Sequence, residues 1–364
     1  MKKAVIVLLV LTALFSFGQT RVYAKEYFLT VVTREGEYVY FFPDVYLKEG
    51  EYRLRDKENK IKKIVDCSYK RPKQAKIKLN EKGEIEIERE ENGERINAME
   101  LRNIIDYALK NSKERVEAVY EEVYAEIQES YLKRCVYLRG SFSTDYSQSL
   151  NERKSNIELA AKRINGKVLK SNEEFSFNQT VGERTEANGF KNSKVIEKGA
   201  FVEGVGGGVC QVSSTLYNAA LLSGMEISEY HAHSLSVSYV EKSFDAMVSY
   251  GWADLKFINK TNGHCVLRAL ADGKKLKIDV FGVENEFYYE RESLVTEEIP
   301  YSCVEEESDD LFCGESVVKT KGKNGYKSEG YLKVYSNGRL KDRFLIRKDE
   351  YKSVSEVILK GVKG

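Results

Sequence analysis

Residues 204–215 read Gly-Val-Gly-Gly-Gly-Val-Cys-Gln-Val-Ser-Ser-Thr, three consecutive glycines running into a segment whose apolar residues recur at helical spacing. Val212, Leu216, Ala219 and Ala220 form that stripe and Gly224 suits the stop, so a helix is predicted over about 211–223. Gly206, Gly207 and Gly208 allow positive φ and a close approach of backbone to a ligand. The junction sets Cys210 at or next to a helix N-terminus, where free N–H groups and the helix dipole favour negative charge and depress a thiol's pKa. The same N–H groups, near Cys210 and Gln211, suit the oxyanion of a tetrahedral intermediate. The competing reading is a small side chain that fills a tight loop–helix junction.

Two of the three histidines follow at once, in Tyr230-His231-Ala-His233-Ser. If that stretch is extended, both rings point to one face. A base carried just after a nucleophile-bearing helix suits cysteine–histidine chemistry, and a carboxylate is then needed to orient the imidazole. Asp245 and Asp254 are the candidates, on the strands expected next. A zinc site made of Cys210, His231 and His233 is the rival, but no second cysteine or carboxylate stands at ligand spacing, so neither metal nor cofactor is expected. Arg184 precedes the glycines and could clamp a substrate carboxylate in a bidentate pair; a surface ion pair with Glu183 or Glu186 is the alternative. Gln211 and Ser213 complete the expected substrate-side set with Arg184 and the three glycines. Ser213 and Ser214 lie inside the predicted helix and lack a nucleophile elbow, so serine hydrolysis is not indicated. His264, in Asn-Gly-His-Cys, reads as a turn residue.

The chain begins Met1-Lys2-Lys3, continues with a 12-residue apolar run from Ala4 to Phe15, and reaches Val22-Tyr23-Ala24. A basic start, a short apolar core and an A-x-A-like end are the anatomy of a secretory signal over residues 1–24. The run falls short of the ~20 residues of a spanning helix, and an uncleaved membrane anchor is the alternative. Loss of Lys2, Lys3 and Arg21 would turn the formal charge of +1 slightly negative. A nucleic-acid partner held by bulk positive charge is therefore not expected. An exported chain with six cysteines invites a disulfide reading, although a chain this long can bury adequate cores without staples. Cys303 and Cys313, around an acidic stretch, are the best pair. Cys67, Cys135 and Cys265 sit among β-type residues and are expected as buried thiols.

The overall reading is a multidomain α+β chain. Residues 25–135 form a small α+β module, with short strands over 26–65, a hairpin over 76–89, and a helix capped by Asn97 that runs through Leu101, Ile104, Ile105 and Ala108. Residues 136–283 form the central domain. It has a helix holding Ile157, Ala160, Ala161 and Ile164, then the cysteine helix, then antiparallel strands predicted over 237–240, 246–250, 255–258, 265–270 and 276–281. Residues 284–316 are acidic and irregular, a linker. Residues 317–364 form a small all-β module with a hairpin turn at Asn337-Gly338.

Several segments of the central domain carry a family resemblance. They are Phe175-Ser-Phe-Asn178, Val181-Gly-Glu-Arg184-Thr, Asn188-Gly-Phe, the run from Gly206 to Ala219, His231-Ala-His233-Ser and Asp254-Leu-Lys-Phe. Together they resemble the VanW domain, a family named after an accessory protein of vancomycin-resistance clusters. The preceding module resembles the peptidoglycan-binding domain that often accompanies it, and the final one resembles a G5 domain, a β-rich unit of surface proteins. The resemblance implies an exported protein of the cell wall, on the extracytoplasmic face of a Gram-positive-type bacterium, with peptidoglycan stem peptides and glycan as partners. It further implies an L,D-transpeptidase forming 3-3 cross-links, with Cys210 as nucleophile and His233 or His231 protonating the departing D-alanine. A wall cysteine peptidase and a non-catalytic wall-binding scaffold are the alternatives. One departure stands out: many relatives carry Pro and Gly-Arg before the Asp-Ala pair, whereas here Val240-Glu-Lys-Ser-Phe-Asp245 intervenes without an arginine.

Overall fold

The computed structural model describes residues 27–197 and 200–363. The expected signal, residues 1–24, lies outside the described residues. Among the described residues no helix is long and apolar enough to cross a membrane.

The described chain forms two compact units. The first comprises the residues up to 73 together with 92–124. Its strand Leu29–Val32 pairs antiparallel with Glu37–Tyr40 and parallel with Arg115–Glu117. The helix Ala98–Lys110 begins at Asn97, whose side chain accepts from the N–H groups of Met99 and Glu100. Leu101, Ile105 and Ala108 form its buried stripe and share a core with Leu29 and Val31. A second helix, Lys57–Ser68, occupies part of the stretch expected as strands. Ile61 and Ile64, three apart, are its buried apolar residues, too sparse a stripe among lysines to announce a helix. Cys67, expected to be buried, is exposed there.

The second unit comprises residues 74–91 and everything after 125. The hairpin of Lys76–Leu79 and Ile85–Glu88 therefore belongs to this unit and not to the N-terminal module. Its Ile77 joins Ala75, Leu132, Cys135 and Val266 in a small core. The main sheet is antiparallel, in the order Tyr137–Asp145, Lys275–Gly282, Cys265–Ala271, Val168–Leu169. A second antiparallel sheet joins Glu174–Ser176, Lys256–Ile258 and Glu226–Glu229. Two helices share the large core with these sheets. Asn151–Ile164 buries Ile157, Ala160, Ala161 and Ile164. Val209–Leu222, the cysteine helix, buries Val212, Leu216, Ala219 and Ala220, and the core closes over Leu267, Leu276 and Ile278.

The cysteine helix ends as its sequence predicts. Gly224 adopts a φ of 73°. Its N–H donates to Leu221 O at 3.1 Å, and the Met225 N–H donates to Ala220 O at 3.1 Å. This is a Schellman stop, which satisfies the carbonyls left over at the last turn.

Residues 284–316 are not an irregular linker. They contain Tyr288–Ile299, which pairs with Gly325–Ser336, and Cys303–Phe312, which pairs in parallel with Glu356–Lys363. Arg339–Tyr351 completes the first of these sheets and Ser316–Thr320 the second, so the C-terminal all-β module begins well before residue 317. Asn337 and Gly338 make the hairpin turn with φ of 51° and 72°, the positive values such a two-residue turn requires. Cys303 and Cys313 are free and exposed, separated by the full strand Cys303–Phe312. At roughly 3.3 Å per residue, that strand holds them far beyond disulfide reach. Cys135 and Cys265 are buried thiols.

Candidate active site

The glycine run lets the loop before the cysteine helix pack hard against its neighbours. Gly208 takes a φ of 104° as the residue preceding the helix. A Cβ there would meet Arg153 Cγ at 2.9 Å, one on Gly207 would meet Lys194 O at 2.5 Å, and one on Gly206 would meet Arg184 Cβ at 2.8 Å. The glycines thus admit protein neighbours, where a ligand was expected. Asn156, buried on the preceding helix, fixes the same loop. Its amide donates to Lys191 O and Gly207 O at 2.9 and 3.0 Å and accepts from Lys191 N at 2.8 Å.

Cys210 lies in the first turn of the helix, half-buried, with its thiol 3.6 Å from Val248 O. The neighbouring His233 acts on this thiol and lowers its pKa. His233 is buried, and its Nδ1 stands 2.6 Å from Asp245 Oδ2, which also accepts from the His233 backbone N–H at 2.8 Å. A carboxylate only accepts, so Nδ1 carries the proton and Nε2 is the nitrogen left for the thiol. The three side chains are arranged as a candidate thiol–imidazole–carboxylate relay.

Helix side chains hold the carboxylate of that relay in place. Ser213 Oγ donates to Ala246 O at 2.6 Å, Ser214 Oγ accepts from Ala246 N at 2.8 Å, and Asn218 donates to Phe244 O at 2.7 Å. These bonds bracket Asp245 on both sides. Residues 237–240 and 246–250, expected as strands, form none; at Ala246 and Val248 the cysteine helix takes backbone partners that a sheet would have claimed.

The electrostatics favour an ion pair. Burial pushes the Cys210 thiol up, but the hydrogen bond and charge of His233, the Val248 contact and the charge of Arg184 outweigh it, and the thiol is held below its ordinary value. Burial alone would lower His233; the Asp245 and Cys210 partners raise it instead, to about 9. Burial raises Asp245, and His233, Arg347 and Tyr351 overcome that and lower it. Cys265 is the contrast: burial pushes its thiol up to about 11, and the opposing pull of Thr261 and Arg139 is too weak to offset it.

Other expected residues stand elsewhere. His231 turns to Glu229, with Nε2 3.0 Å from Oε1, so it joins neither the relay nor a Cys–His–His metal set. Asp254 is buried and caps a short helix: it accepts from Ser176 Oγ at 2.5 Å, Asn178 N at 2.8 Å and Leu255 N at 2.8 Å. Ser213 is fully buried, and Gln211 nearly so, its amide donating to Thr144 Oγ1 at 3.0 Å and Asp145 O at 2.8 Å. The Gln211 backbone N–H donates to Gly208 O at 3.0 Å and is not free for an oxyanion. Arg184, expected on the substrate side, keeps an unused donor. Its Nη1 donates to Gly182 O at 3.1 Å, while its Nη2 is buried and has no hydrogen-bond partner among the described residues. Burial lowers its pKa, and the nearby Cys210 charge opposes that.

Sequence reasoning missed two neighbours of the thiol. Arg153 donates to Ser149 Oγ at 2.6 Å and Gln211 Oε1 at 2.8 Å and interacts with the charge of Cys210. Burial, with the Cys210 and Asp245 charges, pushes the Tyr239 phenol well up, so it remains a protonated donor beside the site. Neither has a local motif; each reaches the site through tertiary packing.

Comparison with known proteins agrees with the architecture. Residues 152–281 match the family described as VanW like protein, and residues 290–363 match the G5 domain. The protein YoaR of Bacillus subtilis (strain 168) is 44% identical over 142 residues, covering 39% of this chain and 47% of that protein. The vancomycin B-type resistance protein VanW of Enterococcus faecalis (strain ATCC 700802 / V583) is 31% identical over 131 residues, covering 35% of this chain and 48% of that one. The chain thus spans about half the length of these curated relatives. Among solved structures, the IgA1 protease G5 domain is 26% identical, covering 22% of this chain and 93% of its own at a TM-score of 0.17. The G5 domain of HP0197 is 22% identical, covering 21% and 100% at a TM-score of 0.14. The chain contains a VanW-like domain at residues 152–281 and a C-terminal G5 domain at residues 290–363.

Proposed function

We propose that this cell-wall-associated protein is a cysteine acyltransferase, an L,D-transpeptidase that forms 3-3 cross-links between peptidoglycan stem peptides. The observation that carries the reading is the relay of Cys210, His233 and Asp245, with the thiol lowered and the imidazole raised to about 9. A resting thiolate–imidazolium pair is the activated form of a cysteine nucleophile.

In the first half-reaction the Cys210 thiolate attacks the carbonyl before the terminal D-residue of a tetrapeptide stem. The tetrahedral intermediate collapses as the C–N bond breaks, His233 gives its proton to the departing amine, and a thioester remains on Cys210. In the second half-reaction the amine of another stem attacks the thioester, His233 takes up a proton from it, and the thiolate leaves. General acid–base help of this kind is worth about 10²–10⁴-fold. Arg184, with its unpartnered Nη2 and its charge near Cys210, suits the carboxylate of the terminal D-residue. Tyr239 keeps its hydroxyl protonated within reach of the Cys210 and Asp245 charges. The G5 domain fits a protein that works on wall polymer, in keeping with an exported location.

The test incubates the full chain, and a Cys210→Ala variant, with purified tetrapeptide muropeptides and follows products by mass spectrometry. Cross-linked dimers made only by the intact protein support the proposal. Shortened monomers without dimers replace it with a wall peptidase, in which water takes the place of the acceptor amine. Neither product leaves a wall-binding scaffold and ends the enzyme reading.

A further inference from the structure

The support of Asp245 does not stop within the VanW-like domain. Its second oxygen, Oδ1, accepts from the Tyr351 hydroxyl at 2.6 Å and lies 3.6 Å from Arg347 Nη2. Arg347 Nη1 also donates to the Asp245 backbone carbonyl at 2.6 Å. Both residues belong to the strand Arg339–Tyr351 of the G5 domain, and they are only 1% and 3% exposed, Tyr351 and Arg347 respectively.

The partners are themselves fixed. Tyr351 Oη accepts from Ser243 N at 2.8 Å. The Arg347 guanidinium grips Asp349 through two bonds, at 2.6 and 2.9 Å. Ser243 Oγ meets Ser328 Oγ at 2.8 Å, and Lys352 N donates to Ser234 O at 2.8 Å. Gly330 lies so close to Ser243 that a Cβ would stand 2.9 Å from its carbonyl oxygen. The hairpin of the G5 domain is thus moulded onto residues 234 and 243, on either side of the relay.

A buried carboxylate must have its lone pairs met, and a carboxylate free to rotate cannot hold an imidazole in one orientation. The Tyr351 hydroxyl bond on Oδ1, with the Arg347 charge beside it, leaves Oδ2 for His233. We propose that Tyr351 and Arg347 are positioning residues of the cysteine relay, so that the G5 domain completes the active site of the VanW-like domain. The proposal rests on the reading of Cys210, His233 and Asp245 as that relay. The titratable and charged groups around Asp245 are His233, Cys210 and Tyr239 on one side and Arg347, Asp349 and Tyr351 on the other. In a Tyr351→Phe chain the carboxylate turns toward Arg347, His233 loses its anchor, and the thiolate loses its imidazolium partner.

The test needs no substrate. Iodoacetamide alkylation of Cys210 is measured against pH by mass spectrometry, in the full wild-type chain and in Tyr351→Phe, Arg347→Met and the exposed control Lys341→Ala. The expected result is that Tyr351→Phe and Arg347→Met each raise the midpoint by about one pH unit, a tenfold loss of thiolate below it, while Lys341→Ala follows wild type. Midpoints of both variants that coincide with wild type overturn the proposal. If one variant lacks the native melting transition, the other carries the test; loss in both means a purely structural role and also overturns it. A wild-type midpoint at the ordinary thiol value refutes the relay itself, an outcome distinct from either.

Discussion

Asp254 offers the sharpest separation between a residue that orients chemistry and one that holds the fold. The structure gives it three donors, Ser176 Oγ, Asn178 N and Leu255 N, and 7% exposure. In Asp254→Ala all three lose their acceptor. A stranded buried donor costs about 1–3 kcal/mol, and the slight exposure admits some water, so a loss of about 3–5 kcal/mol is expected. Asp254→Asn keeps one oxygen for the two N–H groups and should cost about 1 kcal/mol. Trp252 is the only tryptophan and lies two residues away, so its fluorescence follows unfolding of this region in urea. At an m-value of about 2 kcal/mol/M, Asp254→Ala should lower the midpoint by roughly 1.5–2.5 M. Alkylation of Cys210 in native Asp254→Asn should keep the wild-type pH midpoint. A wild-type urea midpoint in Asp254→Ala combined with a shifted alkylation midpoint in Asp254→Asn would refute the assignment and return Asp254 to the relay.

Other outcomes follow from the same geometry. Because His233 is raised from 6.5 to about 9, its contribution to stability should be complete below pH 6.5 and lost as the pH climbs through about 9; the gap in melting temperature between wild type and His233→Gln should close over that window. Transpeptidation should decline over the same rise, since the imidazolium that protonates the leaving amine disappears, and initial rates of dimer formation against pH would show it. Gly207→Ala places a Cβ 2.5 Å from Lys194 O and should cost about 2–3 kcal/mol in urea denaturation. His231→Ala should leave the alkylation midpoint of Cys210 unchanged, because that ring is turned to Glu229; a clear shift would bring His231 back toward the thiol.

The parts of the site that lie close together in sequence could be read there. The glycines, Cys210 and the helical stripe announce a helix start, and the sequence around Gly224 announces its end. The choice between the two histidines and between the two aspartates could not be read. It depends on irregular backbone at 230–250 that has no periodicity of its own and is shaped by Ser213, Ser214 and Asn218 from inside the helix. The acidic stretch misled for a different reason. Cys303–Phe312 is exposed along nearly its whole length, so no buried face imposes the alternation by which strands are recognised. Arg347 and Tyr351 carry no motif, and their partner lies more than a hundred positions upstream.

That separation also sets an order in time. Tyr351 follows Asp245 by 106 residues, and the strand Glu356–Lys363 must pair in parallel with Cys303–Phe312. Contacts so distant along the chain form late, after the local hairpins and helices. A chain emerging from its N-terminus therefore possesses Cys210, His233 and Asp245 well before it possesses the hydroxyl that steadies them. On the proposed reading the thiol is armed last, and a chain cut between residues 246 and 346 keeps Cys210, His233 and Asp245 while losing the clasp that holds them.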